Sequence, residues 1–92
     1  MTKIHMDVDS VRRVMELLMK ERDKLQKSLK AMNNAVIELE EGDWFGRSAN
    51  QFFDEYNDML RTFTPRLNAM EAFAGRLWQA IADFEAAAEK LD

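Results

Sequence analysis

Apolar side chains recur at heptad spacing along most of this 92-residue chain. In the first half, the intervals alternate between four and three residues from Val11 to Leu39, with Arg22 as the one charged position. A repeat of about 3.5 residues places one apolar stripe on a long α-helix, and that stripe packs against other helices. The first seam is formed by Val11, Met15, Leu18, Leu25, Leu29, Met32, Val36 and Leu39.

A second seam of the same kind occupies the second half of the chain. Its larger members are Phe52, Tyr56, Met59, Phe63, Leu67, Met70, Leu77 and Ile81. Pro65 lies inside this seam, where a proline removes one helical hydrogen bond and crowds the preceding turn. We therefore predict a second helix that is bent near Pro65, and the alternative is a separate third helix that begins at Thr64-Pro65.

Residues that favour helix ends flank both seams. Asp7 is suited to cap the first helix, and Gly42 is suited to end it with a positive φ. Ser48 and Gln51 have the spacing of a capping box at the start of the second helix. The predicted organisation is a single helical-hairpin domain over 1–92, with helix one at about 8–41, a turn at 42–47 and helix two at about 48–91.

Two helices alone cannot cover all of these apolar side chains. A lone antiparallel hairpin would leave large aromatic residues such as Phe52, Phe73 and Trp78 in contact with water. A contiguous exposed apolar patch of this kind usually marks an interface. We therefore predict an all-α fold in which two hairpins dimerise into a four-helix bundle.

The composition argues against several classes of function. There is no cysteine, and the single histidine has no second ligand at helical spacing, so no metal site is expected. Neither a nucleophile elbow nor a phosphate-binding glycine loop occurs, which predicts a protein without enzymatic activity or cofactor. The net charge is −4 and no basic stripe follows either seam, so nucleic acid is not an expected partner.

The N-terminal residues and the length of the apolar stretches indicate how the chain relates to membranes and to export. Residues 1–7 lack the apolar stretch of a secretory signal. No stretch reaches the roughly 18 consecutive apolar residues of a transmembrane helix. We expect no stable membrane insertion, and any export would use a route that does not depend on a signal peptide.

The segment between the two predicted helices contains Trp44, Phe45 and Gly46, followed by the small pair Ser48-Ala49. A Trp-x-Gly centred between two heptad helices resembles the WXG family, the early-secreted-antigen-like proteins of type VII (ESX) secretion. The resemblance implies a hairpin that pairs with itself or with a paralogous WXG-like protein. It also implies a cytoplasmic protein that is exported as a folded dimer after recognition by a secretion ATPase.

The resemblance further implies a second signal near the end of helix two, an aromatic residue followed four residues later by an acid. Here Phe84 is followed at that spacing by Ala88, and Glu89 comes one residue late. This departure leaves open whether the chain is exported in its own right. One alternative is a small helical chaperone for the N-terminal helical domain of a larger secreted toxin. Another is an intracellular coiled-coil adaptor unrelated to secretion.

Trp44 has two interpretations at this stage. The indole can close the end of the bundle as an apolar plug, or part of it can stay accessible beside Phe45 for a partner to bind. The acidic residues Glu38, Glu40, Glu41 and Asp43 surround this position as a charged rim or as an ordinary solvated helix end. The expected recognition residues are Trp44, Phe45, Gly46, Phe84 and Glu89.

Overall fold

The structure, a computed structural model, describes residues 5–42 and 44–90. Its regular elements there are two α-helices, α1 over Val8–Glu41 and α2 over Arg47–Lys90. The two long helices pack against each other like a hairpin, which confirms the all-helical prediction. Asp43 and the predicted helix end at residue 91 lie outside the described residues.

The start of α1 follows the sequence prediction. The backbone N–H of Ser10 donates to Oδ1 of Asp7 at 3.2 Å, so Asp7 caps the helix. This hydrogen bond, reinforced by the Ser10 hydroxyl, holds the pKa of Asp7 below its ordinary value. The cap therefore stabilises the folded chain above the unfolded pKa of this carboxyl, and the contribution is lost as the pH falls through the lower folded pKa.

The predicted positive φ at Gly42 is wrong, because the backbone dihedral that favours glycine occurs at Gly46, with φ of 106°. The N–H of Gly42 donates to the carbonyl oxygen of Glu38 at 3.1 Å and so continues the helical pattern. A Cβ at Gly42 would lie 3.2 Å from that same oxygen. Glycine therefore relieves crowding at the end of α1 instead of reversing the chain there.

The predicted capping box at Ser48 is also wrong, because α2 begins earlier, at Arg47. The carbonyl oxygen of Gly46 accepts from the N–H of Asn50 at 3.0 Å, which makes Gly46 the N-cap. Ser48 lies inside the first turn, and the Gln51 amide donates forward to Glu55 at 3.3 Å.

α2 runs without interruption through Pro65, so a separate third helix does not form. Pro65 lies on the exposed side of the helix. Because of this position, water can solvate the carbonyl group whose helical donor the proline removes.

The helices contribute to two compact units. The terminal unit consists of the described parts of Met1–Arg22 and Ala69–Asp92, and the connector unit consists of Asp23–Asn68. Among the described residues, the buried apolar side chains are Ala74 and Ile81 in the terminal unit, and Ala49 and Leu67 in the connector unit. Each unit thus has a thin core.

Polar side chains link α1 to α2 within each unit. In the terminal unit, Arg12 pairs with Glu85 at 3.4 Å. In the same unit, Arg22, the charged member of the first seam, pairs with Glu71 at 3.1 Å. In the connector unit, the Tyr56 hydroxyl donates to Oδ1 of Asn33 at 3.4 Å. The polar position in the first seam therefore has a partner within its own chain.

Candidate interaction site

Trp44 is the centre of an aromatic cluster in the connector unit. Its ring lies 5.5 Å from that of Phe52 and 5.8 Å from that of Phe53, measured between centroids. Phe52 in turn stacks on Tyr56 at 6.3 Å. These separations are typical of favourable aromatic pairs. Trp44 is half-buried, so the indole packs on α2 while part of it stays accessible.

Phe45 has the opposite environment. Its side chain is 80% exposed, although it directly follows Trp44. An aromatic side chain gains little from the fold in such a position, since apolar stabilisation scales with the area removed from water. The two neighbours therefore differ in role. Trp44 packs against α2 and holds the interhelical segment there, whereas Phe45 is exposed to solvent.

Gly46 gives this segment its backbone geometry. Its φ of 106° lies in the region that residues with a Cβ rarely adopt. A Cβ built at Gly46 would meet nothing within 4 Å. Glycine is thus required here by the dihedral angle and not by a close neighbour.

The end of α1 that precedes this segment is acidic. Glu38, Glu40 and Glu41 are all exposed at the end of this helix. The last turn of α1 contains no basic residue, and the carbonyl end of a helix carries partial negative charge. Exposed acidic side chains therefore end α1, and the exposed ring of Phe45 follows a few residues later in the sequence.

The predicted residues near the end of α2 belong to the terminal unit. Phe84 is half-buried and lines a groove of about 380 Å³ with Met6, Ala80 and Ala87. Glu89 is exposed. They stand five positions apart, which places the two side chains about 140° apart around a helix, whereas a four-position spacing gives about 40°. Phe84 and Glu89 therefore do not form one surface.

The seam residues fall into a regular pattern in the connector unit. On α1, Leu29 and Val36 are half-buried, while Leu25, Met32 and Leu39 are exposed. The exposed members recur every seven residues. The same alternation occurs on α2, where Tyr56 and Phe63 are half-buried, and Phe52 and Met59 are exposed. On each helix, one set of positions thus faces the other helix of the same chain, and the other set is exposed.

In the terminal unit, Ile81 is buried, and the other predicted seam residues are half-buried: Val11, Met15, Leu18, Met70 and Leu77. Sequence reasoning missed Met19 and Gly75, which line a groove in this unit although they stand outside the heptad pattern. The available signal was the four-residue spacing of Met15 to Met19, which places both on one side of α1.

The described residues contain no group of three or more histidine, cysteine or acidic side chains placed to hold a metal ion. Among the same residues, neither helix has an apolar stretch long enough to cross a membrane.

No family model matches this chain, and neither a curated protein nor a solved structure is significantly similar to it. The function is therefore argued from the geometry of the interhelical segment and from the apolar surfaces of the two helices.

Proposed function

We propose that this chain is a WXG-like protein of a type VII secretion system, acting as a non-enzymatic helical dimer that is exported or assists export. The observation that carries the proposal is the Trp44-Phe45-Gly46 segment between two long packed helices. The accessible edge of Trp44, the exposed ring of Phe45 and the acidic end of α1 give a partner three distinct features to bind.

Dimerisation is supported by the open set of seam positions. Leu25, Met32 and Leu39 line one strip of α1, and Phe52 and Met59 line a strip of α2. Side chains that recur every seven residues are the ones that a second pair of helices contacts in a bundle. With two buried apolar residues in the described part of each unit, a lone chain has little core of its own. A second copy or a paralogous hairpin would bury the open set.

We predict that the purified protein forms a dimer with little monomer at micromolar concentration. The mass from sedimentation or light scattering should be twice the 10.8 kDa of the chain. The melting temperature should rise with protein concentration, because association stabilises the folded state by mass action. A monodisperse 10.8 kDa species whose melting does not depend on concentration would contradict the prediction.

Export tests the functional part of the proposal. The chain, expressed in a bacterium with a type VII system, is expected in the culture medium, and deletion of the secretion ATPase should retain it in the cytoplasm. A cytoplasmic enzyme serves as the control for lysis. Retention of the chain in both strains, even with its partner present, would support an intracellular coiled-coil adaptor.

A second candidate function is favoured by the geometry near the end of α2. Because Phe84 and Glu89 lie on different sides of the helix, a partner would have to contribute the second export signal. A chaperone for the N-terminal helical domain of a larger secreted toxin fits this requirement. Under this alternative, the chain appears in the medium only when co-expressed with such a domain, and the two co-purify in equal amounts.

A further inference from the structure

Two methionine side chains lie among the exposed seam positions of the connector unit. Met32 on α1 is 45% exposed, and Met59 on α2 is 40% exposed. Met32 stands seven residues from both Leu25 and Leu39, and Met59 stands seven residues after Phe52. The other described methionines are half-buried, namely Met6, Met15, Met19 and Met70. The exposed thioether groups of the described chain therefore both belong to the strips that the proposed dimer covers.

The packing of the helices places these two methionines at similar heights. The Tyr56 hydroxyl donates to Asn33 at 3.4 Å, which sets the height of α1 relative to α2 at this point. Met32 directly precedes Asn33, and Met59 lies three residues after Tyr56. At a rise of about 1.5 Å per residue, the two methionines are within about one helical turn of each other along the helix axes.

The two methionines also lie on the same side of the helix pair. Met32 comes three residues after one half-buried seam residue of α1 and four before the next, Leu29 and Val36. Met59 has the same spacing to the half-buried seam residues of α2. Each methionine is thus rotated from the interhelical contact by the same angle in the same direction. Because α1 and α2 run in opposite directions in a hairpin, this equal rotation turns both side chains to one side.

An exposed thioether reacts with hydrogen peroxide. The sulfur attacks one peroxide oxygen, the O–O bond breaks as the sulfur–oxygen bond forms, and proton transfer lets the second oxygen leave as water. Sulfur loses two electrons and the peroxide gains them, so one thioether and one peroxide give one sulfoxide and one water. The rate follows the exposure of the sulfur, and the product is a polar side chain in place of an apolar one. The leucines and the phenylalanine of the same strips have no such reaction.

We propose that Met32 and Met59 form an oxidation site through which peroxide controls the pairing of this chain. In the unpaired chain, both sulfurs are open to the oxidant, and in the dimer the partner covers them. A sulfoxide in either strip brings a polar oxygen among apolar neighbours, and burial of that oxygen without a hydrogen bond is unfavourable. The oxidised chain therefore stays unpaired. This inference rests on the dimerisation that the proposed function includes, and export is not needed to test it.

Met32→Leu/Met59→Leu is the variant that tests the site. It keeps the apolar volume and removes both sulfurs, so it should dimerise like the unmodified chain. The matched control is Met15→Leu/Met70→Leu, which replaces one half-buried methionine on each helix of the terminal unit. Met32→Gln/Met59→Gln imitates the polarity of the sulfoxide and keeps a similar helix propensity.

The dimer dissociation constant is measured by sedimentation before and after treatment with hydrogen peroxide, and peptide mass spectrometry locates the sulfoxides. Oxidation of the unmodified chain should raise this constant at least tenfold while the helical circular dichroism signal is retained. The terminal-unit control should respond in the same way, and Met32→Leu/Met59→Leu should stay dimeric at the same dose. Met32→Gln/Met59→Gln should pair at least tenfold more weakly without any peroxide.

Two further measurements use the unmodified chain. Oxidation of Met32 and Met59 should slow at least fivefold when the protein concentration is raised from below to above the dissociation constant. A mixture of the two methionine sulfoxide reductases, with dithiothreitol supplying two electrons per sulfoxide, should restore the thioethers and the dimer.

Several results would overturn the inference. A dimer that persists with both sulfoxides in place would do so and would leave the proposed dimer intact. Dissociation of Met32→Leu/Met59→Leu by the same dose would assign the effect to other residues, and loss of the helical signal would assign it to the fold. Oxidation rates that do not depend on concentration would show that the dimer leaves the site uncovered. A chain that is monomeric before peroxide is added would defeat the proposed dimer and this inference together.

Discussion

Leu67→Asp is expected to unfold the connector unit. Leu67 is one of the two buried apolar side chains in the described part of this unit, with 7% of its surface exposed. Shortening a buried leucine alone costs about 2–5 kcal/mol, and a carboxylate without a partner in the same place adds the cost of removing a charge from water. We expect the free energy of unfolding, measured by urea titration of the far-UV circular dichroism, to fall by at least about 3 kcal/mol.

The control for this variant is the neighbouring exposed position. Asn68→Asp introduces the same carboxylate one residue later and should change the free energy of unfolding by less than about 0.5 kcal/mol. Similar losses at both positions would mean that the helix faces are assigned wrongly.

Substitutions at Trp44 and Phe45 are expected to separate stability from export. Trp44→Ala removes a half-buried ring from Phe52 and Phe53, so the free energy of unfolding should fall by about 2 kcal/mol, roughly half the cost for a fully buried aromatic residue. Phe45→Ser changes a ring that is 80% exposed and should cost less than about 0.5 kcal/mol. Export should nevertheless fall at least tenfold in both variants.

Thermal melting and export are measured on the same preparations of these variants. Phe45→Leu keeps an apolar side chain at this position and serves as the conservative control, with export close to that of the unmodified chain. Normal export of folded Phe45→Ser and Trp44→Ala would remove the recognition role from both residues. Trp44 would then be a plug that only stabilises the end of the bundle.

The sequence predicts the helices well because their signals are local and repeated. Heptad spacing identifies α1 and α2, and the Asp7 cap depends on an interaction that spans only three residues. The start of α2 is different, since the motif at Ser48 competes with Gly46. The positive φ of Gly46 lets α2 begin at Arg47, ahead of the serine. Spacing alone does not rank two overlapping capping signals.

The candidate surfaces are less predictable, because they depend on contacts between residues far apart in the chain. Arg22 interrupts the first seam, and only the packing of the helices reveals Glu71 as its partner. The heptad repeat likewise predicts that Leu25 and Leu29 are equally buried, although Leu25 is exposed and Leu29 is half-buried. Which seam positions pack against the other helix of the chain depends on how α1 and α2 pair. The spacing of residues along the sequence does not contain this information.

The thin core described above has a consequence for the lifetime of the protein in a cell. Among the described residues, four small or aliphatic side chains are buried, and three of these keep a few per cent of their surface exposed. If the chain pairs as proposed, a copy that has not met its partner would open often, and proteases would cleave the open form. Copies of the protein that are made in excess of the partner would be degraded. The abundance of the partner would thereby set the amount of this protein, without any dedicated regulator.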